Sequence, residues 1–138
     1  MFAELSDGWM FPCWVVGASH IRAVEAQWPS AGSLLHHRAG WWPLSVADST
    51  SVLECDPPRR LVVQARVWPF GAATVTMSTR PERDECRVNM LESPTRGPAR
   101  WLDNPLQRYL LRRRNREALA RLATIAENRP DPRKLLPL

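Results

Sequence analysis

Two histidines stand side by side at His36 and His37, a residue type whose proton moves near neutral pH. In an extended segment neighbouring side chains point to opposite faces, so at most one of the pair can enter an interior. There it could serve as a general acid or base; the plainer reading is a packed or surface imidazole. Rings on opposite faces hold a metal poorly, and no carboxylate lies at ligand spacing, so neither a metal nor another cofactor is expected. Asp48 and Arg66 are the charged residues that could join such a centre. Asp48 shares a face with Val46 and Thr50. Turned inward, it would be a buried carboxylate with a raised pKa or a partner for Arg38 or Arg66. Turned outward, the preferred reading, it is an ordinary solvated residue. His36, His37, Asp48 and Arg66 are the catalytic candidates. No Ser-His-Asp order, Gly-rich phosphate loop or carboxylate pair accompanies them, which argues against hydrolase and nucleotide-binding readings.

Asn115 is the other polar residue of interest, because it falls between Leu111 and Ala118 in an apolar helical stripe. A buried amide needs partners. A ligand could supply one, and so could the sheet or the loop near Trp101; both readings stay open. The run Arg112-Arg113-Arg114-Asn115-Arg116 lacks the aromatics that would stack bases. On a helix its charges spread around a solvated face. The formal net charge of +5 rests on arginine, with a single lysine at Lys134. It suits an anionic partner, yet nucleic-acid binding is not expected from charge alone.

The elements that must position these residues are legible in the spacing. Met1 to Val16 reads as two short helices interrupted at Ser6-Asp7-Gly8, with Pro12 in the first turn of the second. Short strands follow: Ser19 to Ala26, Ser33 to Ala39, and Leu44 to Cys55 with a bulge or bend. Asp56-Pro57-Pro58-Arg59 breaks the chain. From Arg60 to Trp68, Leu61, Val63, Ala65 and Val67 occupy one face. After a turn at Pro69-Phe70-Gly71, Ala73, Val75 and Met77 alternate with Thr74, Thr76 and Ser78. Pro81 to Glu85 reads as a polar hairpin loop, and Cys86 to Ser93 as the last strand. Short connections make these six an antiparallel meander. A loop from Ser93 to Asn104 contains Trp101. Asn104 and Pro105 then supply an N-cap and first-turn proline for a helix running to Asn128. Leu111, Ala118, Leu122 and Ile125 form its apolar stripe, while Arg113, Glu117 and Arg121 sit at pairing distance on the other side.

The 138 residues fit one α+β domain over 1–128, with a loose tail over 129–138. Seven tryptophans against one tyrosine and three phenylalanines suggest rings that line or seal a cavity. Cys13, Cys55 and Cys86 are odd in number and widely spaced, against a disulfide framework or zinc site and in favour of a reducing cytoplasm. No apolar run approaches the roughly 18 residues of a membrane span, and no secretory signal is expected at the N-terminus.

This order of elements resembles the helix-grip fold of the START-like, SRPBCC superfamily, in its polyketide cyclase/dehydrase-like branch. The resemblance rests on Phe2-Ala3-Glu4-Leu5-Ser6-Asp7 leading to Trp14, on Val52-Leu53-Glu54-Cys55-Asp56-Pro57-Pro58-Arg59-Arg60-Leu61, and on the helix from Leu110 to Glu127. It implies a curved antiparallel sheet around the long helix, with a pocket for a hydrophobic small molecule such as a lipid or polyketide. The expected lining is Leu61, Val63, Val75, Met77, Val88 and Met90 from the strands, with Trp101, Leu111, Asn115 and Leu122 from the helix side. Two other functions are implied: a cyclase or dehydratase, and a stress-response or co-chaperone-like module binding a protein. Relatives usually begin with a strand for which Met1 leaves no room. The edge of the last strand is therefore expected to be open, and open edges invite dimerisation.

Overall fold

The computed structural model describes residues 1–40, 43–67, 71–98 and 104–129. Two short helices, α1 (Phe2–Ser6) and α2 (Phe11–Trp14), precede six strands and a long helix. The strands are β1 (Ala18–Val24), β2 (Leu34–Ala39), β3 (Val46–Asp56), β4 (Arg60–Val67), β5 (Gly71–Glu82) and β6 (Glu85–Arg96). The helix, α3, runs from Pro105 to Glu127. The strands pair in sequence order as an antiparallel meander. This is the helix-grip architecture: a curved sheet with one long helix against its concave face.

Local chemistry explains the boundaries. Asn104 Oδ1 accepts from Gln107 N at 2.7 Å, so the amide caps α3 while Pro105 occupies its first turn. Expected pairing among Arg113, Glu117 and Arg121 reduces, among the described residues, to Arg121 Nε donating to Glu117 at 2.9 Å. Register irregularities interrupt the β1–β2 ladder, the β3–β4 ladder between Val52 and Glu54, and the β5–β6 ladder between Ala72 and Ala73. An extra residue on one strand bends it and increases its twist, which helps curve the sheet. The expected loop from Pro81 to Glu85 is mostly strand. Glu82 pairs with Glu85 across a two-residue turn, with Arg83 at φ 52°.

The core lies between the concave face and the helices. Val52, Val63 and Val75 form one cross-strand row, and Leu61, Met77 and Met90 another. Leu5, Phe11, Trp14 and Leu35 close one end of it, and α3 contributes Ala118 and Leu122. Gly8 sits where a Cβ would come within 2.9 Å of Val24 Cγ1 and 3.0 Å of Leu35 Cδ1. Only glycine lets the α1–α2 elbow come this close to β1 and β2. Trp28 Nε1 donates to Ser6 O at 2.8 Å beside it. Arg129, expected to begin a loose tail, instead donates to the buried Glu4 carboxylate. Residues 130–138 lie outside the described residues.

Candidate functional site

Between the sheet and α3 the core leaves a cavity of about 230 Å³. Its strand wall includes Val63, Val75, Met77 and Met90. Phe11, Trp14, Val15 and Val16 close it from the side of α2, and Asn115 and Ala118 from α3. The wall is mainly apolar, with a few polar side chains set into it.

His37 is one of them. It is 5% exposed and lines the cavity. Its Nε2 lies 3.1 Å from Oγ1 of Thr50, which is completely buried and also borders the cavity. Phe11 packs beside the imidazole at 6.0 Å between ring centroids. Burial pushes the His37 pKa below its ordinary value; the charge of Asp48 and the main chain at Arg38 oppose this, and His36 adds to it. The ring is therefore neutral near pH 7. Among the described residues neither its Nδ1 nor Nε1 of Trp14, a residue only 2% exposed, has a partner of hydrogen-bond geometry. An unmet buried donor or acceptor costs about 1–3 kcal/mol. Two such atoms therefore belong to side chains bordering one cavity.

At the other end Arg114 Nη2 donates to Glu92, whose side chain is 7% exposed. Both residues line the cavity, as does Arg66. The pair holds a carboxylate out of water without leaving its charge unmatched. Arg112, Arg113 and Arg116 are exposed. Arg114 departs from the solvated face read from that run.

The structure sorts the candidates. His37 faces the cavity and His36 the other side of β2. Asp48 is directly opposite His37 in the ladder, so it shares the concave face. The outward reading of Asp48 is therefore corrected. Its Oδ1 accepts from Ser49 N at 2.8 Å, and the residue borders a second, shallower cleft together with Arg66. Of the expected lining, Val63, Val75, Met77, Met90 and Asn115 reach the wall. Leu61 and Leu122 are core residues away from it, and Val88 packs against that core. Leu111 is half-buried on α3 and off the wall, because the cavity meets that helix at Arg114, Asn115 and Ala118. Trp101 lies outside the described residues. Sequence reasoning missed Phe11 and Trp14, though their three-residue spacing across one helical turn was a usable signal. It also missed Glu92, which follows the inward alternation of Val88 and Met90.

The described residues contain no cluster of three or more His, Cys, Asp or Glu able to hold a metal. Among them no helix is long and apolar enough to cross a membrane.

Fold and site together define a helix-grip α+β domain with a partly open, mainly apolar cavity between sheet and helix. The chain is similar in structure to a structural-genomics protein from Nitrosomonas europaea, at 14% identity and a TM-score of 0.69, over 91% of this chain and 84% of that one. A second such protein, from Rhodobacter sphaeroides, is 19% identical with a TM-score of 0.67, over 91% of this chain and 82% of that one. At these identities the likeness concerns the fold. No family model matches the chain, and the search of curated proteins found no match.

Proposed function

We propose that the chain binds a compact, mainly apolar small molecule in the cavity between sheet and α3, as a member of the START-like, SRPBCC group in its polyketide cyclase/dehydrase-like branch. The observation that carries this reading is the apolar cavity with partnerless polar atoms on its bordering side chains. A simple hydrophobic core closes such a space and meets such atoms. The volume of about 230 Å³ also bears on the ligand class. An apolar cavity of about 150 Å³ accepts benzene. A one- or two-ring polyketide-like compound, or a short acyl chain, suits this space better than a two-chain lipid. Native mass spectrometry of the purified chain, followed by extraction, tests the proposal. A bound mass of small-molecule size supports it. An empty chain that also ignores polyaromatic dyes and fluorescent fatty acids contradicts it.

The enzymatic reading draws support from one observation: His37, neutral near pH 7, borders the cavity with Asp48 beside it on the same face. A cyclase or dehydratase could use such an imidazole for proton transfer. Turnover of a short polyketone by the wild type, lost in His37→Gln, would support it. A protein-binding, co-chaperone-like role would call for a broad, shallow apolar patch.

A cytoplasmic setting belongs to the same reading and rests on the three free cysteines. Pairing of two copies along the outer edge of β6, which has no neighbouring strand among the described residues, is part of it too. Sedimentation at rising concentration tests it: a constant monomer mass rules it out.

A further inference from the structure

We infer that the first half of α3, residues 105–116, docks the protein on an anionic membrane surface, with Leu106, Tyr109 and Leu110 in the headgroup layer and Arg112, Arg113 and Arg116 on the lipid phosphates. The inference does not depend on what the cavity holds.

The two halves of α3 differ. The second half packs: Ala118 and Leu122, 5% and 1% exposed, are the buried residues of the helix, and none before Ala118 is buried. In the first two turns the large apolar side chains face outward instead. Leu106, Tyr109 and Leu110 are 65%, 60% and 54% exposed. Their i, i+3, i+4 spacing sets them side by side in one stripe. Scattered exposed leucines are ordinary. Three large apolar side chains joined in one patch, on a helix that buries its other side elsewhere, mark an interaction surface.

Arg113 continues the stripe one turn beyond Tyr109 and Leu110, and Arg112 and Arg116 flank it. All three are exposed, and none takes part in an ion pair among the described residues. No carboxylate precedes Glu117 in α3. Glu117 is paired with Arg121, and Glu92 on β6 with Arg114. Positive charge is therefore uncompensated where the apolar stripe ends. Anionic lipid matches both features: the apolar side chains enter the headgroup layer, and the arginine stems lie along it with their guanidiniums on phosphate. A nucleic acid would meet the charge but set the leucines against a polar strand, and Tyr109 is the one ring α3 offers for stacking. A protein groove holds a helix along an apolar face of several turns, whereas α3 presents a short outer arc. A flat lipid surface fits that arc. The helix lies on the membrane and does not cross it, in keeping with the absence, among the described residues, of a helix long and apolar enough to span one.

Co-sedimentation of the full chain with vesicles tests this, comparing phosphatidylcholine alone with phosphatidylcholine mixed with phosphatidylglycerol. The expected result is about a hundredfold tighter binding to the mixed vesicles, the three arginines each adding about fivefold. High salt should remove that preference. A variant with Arg112→Gln, Arg113→Gln and Arg116→Gln should bind both kinds of vesicle alike. A variant with Leu106→Gln, Tyr109→Gln and Leu110→Gln should bind the mixed vesicles about tenfold more weakly, because the apolar contact is lost. The altered side chains are all exposed, so circular dichroism and thermal unfolding should match the wild type in both variants. No binding to mixed vesicles, equal wild-type binding to both kinds, or unchanged binding by either variant would overturn the inference. So would wild-type self-association that the Leu106, Tyr109 and Leu110 variant loses, which would give the stripe to a second copy of the chain.

Discussion

Thr50 Oγ1 lies 3.1 Å from His37 Nε2, and this contact ties the imidazole to β3, while among the described residues its other nitrogen has no partner of hydrogen-bond geometry. The two residues sit on adjacent strands of the concave face, between the core and the cavity. The contact orients the imidazole, and burial, which lowers the His37 pKa, gives the site its acid sensitivity.

Folding stability should fall as pH drops below about 6.5, the ordinary histidine value. The native pKa of His37 is depressed by burial, so the unfolded chain binds the proton first and stability rises with pH through this window. The native environment includes Phe11, Asp48, His36 and Arg38, and Asp48 limits the effect. Urea denaturation at pH 8 and pH 5 checks the sign. His37→Phe should flatten the slope between them, whereas an unchanged slope would assign the effect elsewhere.

A second acid transition should lie lower. Burial acts to raise the Glu4 pKa, but the N-terminal amine and Arg129 outweigh it and bring the value to about 2. The amine meets Oε2 as an ion pair and Arg129 donates to Oε1; Oε2 itself lacks a partner of hydrogen-bond geometry. The contribution is present above about 4.5 and is lost as pH falls toward 2. Circular dichroism during acid titration should show Arg129→Gln unfolding at a higher pH than wild type.

Arg114→Leu leaves the Glu92 carboxylate, 7% exposed, without its counter-charge. The expected cost is about 2 kcal/mol, below that of a fully buried pair because Arg114 is 38% exposed. Replacing Glu92 as well, by Met, should recover most of it. Thermal unfolding of both single variants and the double variant measures the coupling.

Gly8→Ala places a methyl group against Val24, Leu35 and Trp28 at the elbow between α1 and α2. Destabilisation of about 1–3 kcal/mol is expected from such overpacking. A change under 0.5 kcal/mol would mean that the elbow shifts freely.

Much of the scaffold was legible because local signals agreed. Asn104-Pro105 marks the start of α3, and alternation through Leu61–Val67 and Ala73–Met77 marks two central strands. The site was less legible for physical reasons. Ser49, Thr50 and Ser51 make both faces of β3 similarly polar, so only its register with β2 places Asp48 beside His37. The same pairing decides which histidine turns inward. The position of Trp14 depends on how a four-residue helix docks, which its own sequence barely specifies. Glu82 and Glu85 look like loop residues until the turn at Arg83 is seen to close a ladder between them.

The central claim, that the space between sheet and α3 is a binding cavity, is met most directly by titrating tetralin into the wild type and into Val75→Phe. Val75 lines the cavity and is only partly buried, so the larger ring should fill empty space. The account predicts saturable one-to-one binding with a negative heat-capacity change in the wild type, abolished in the variant while its fold persists. An absence of saturation, or equal binding by both proteins, would contradict it.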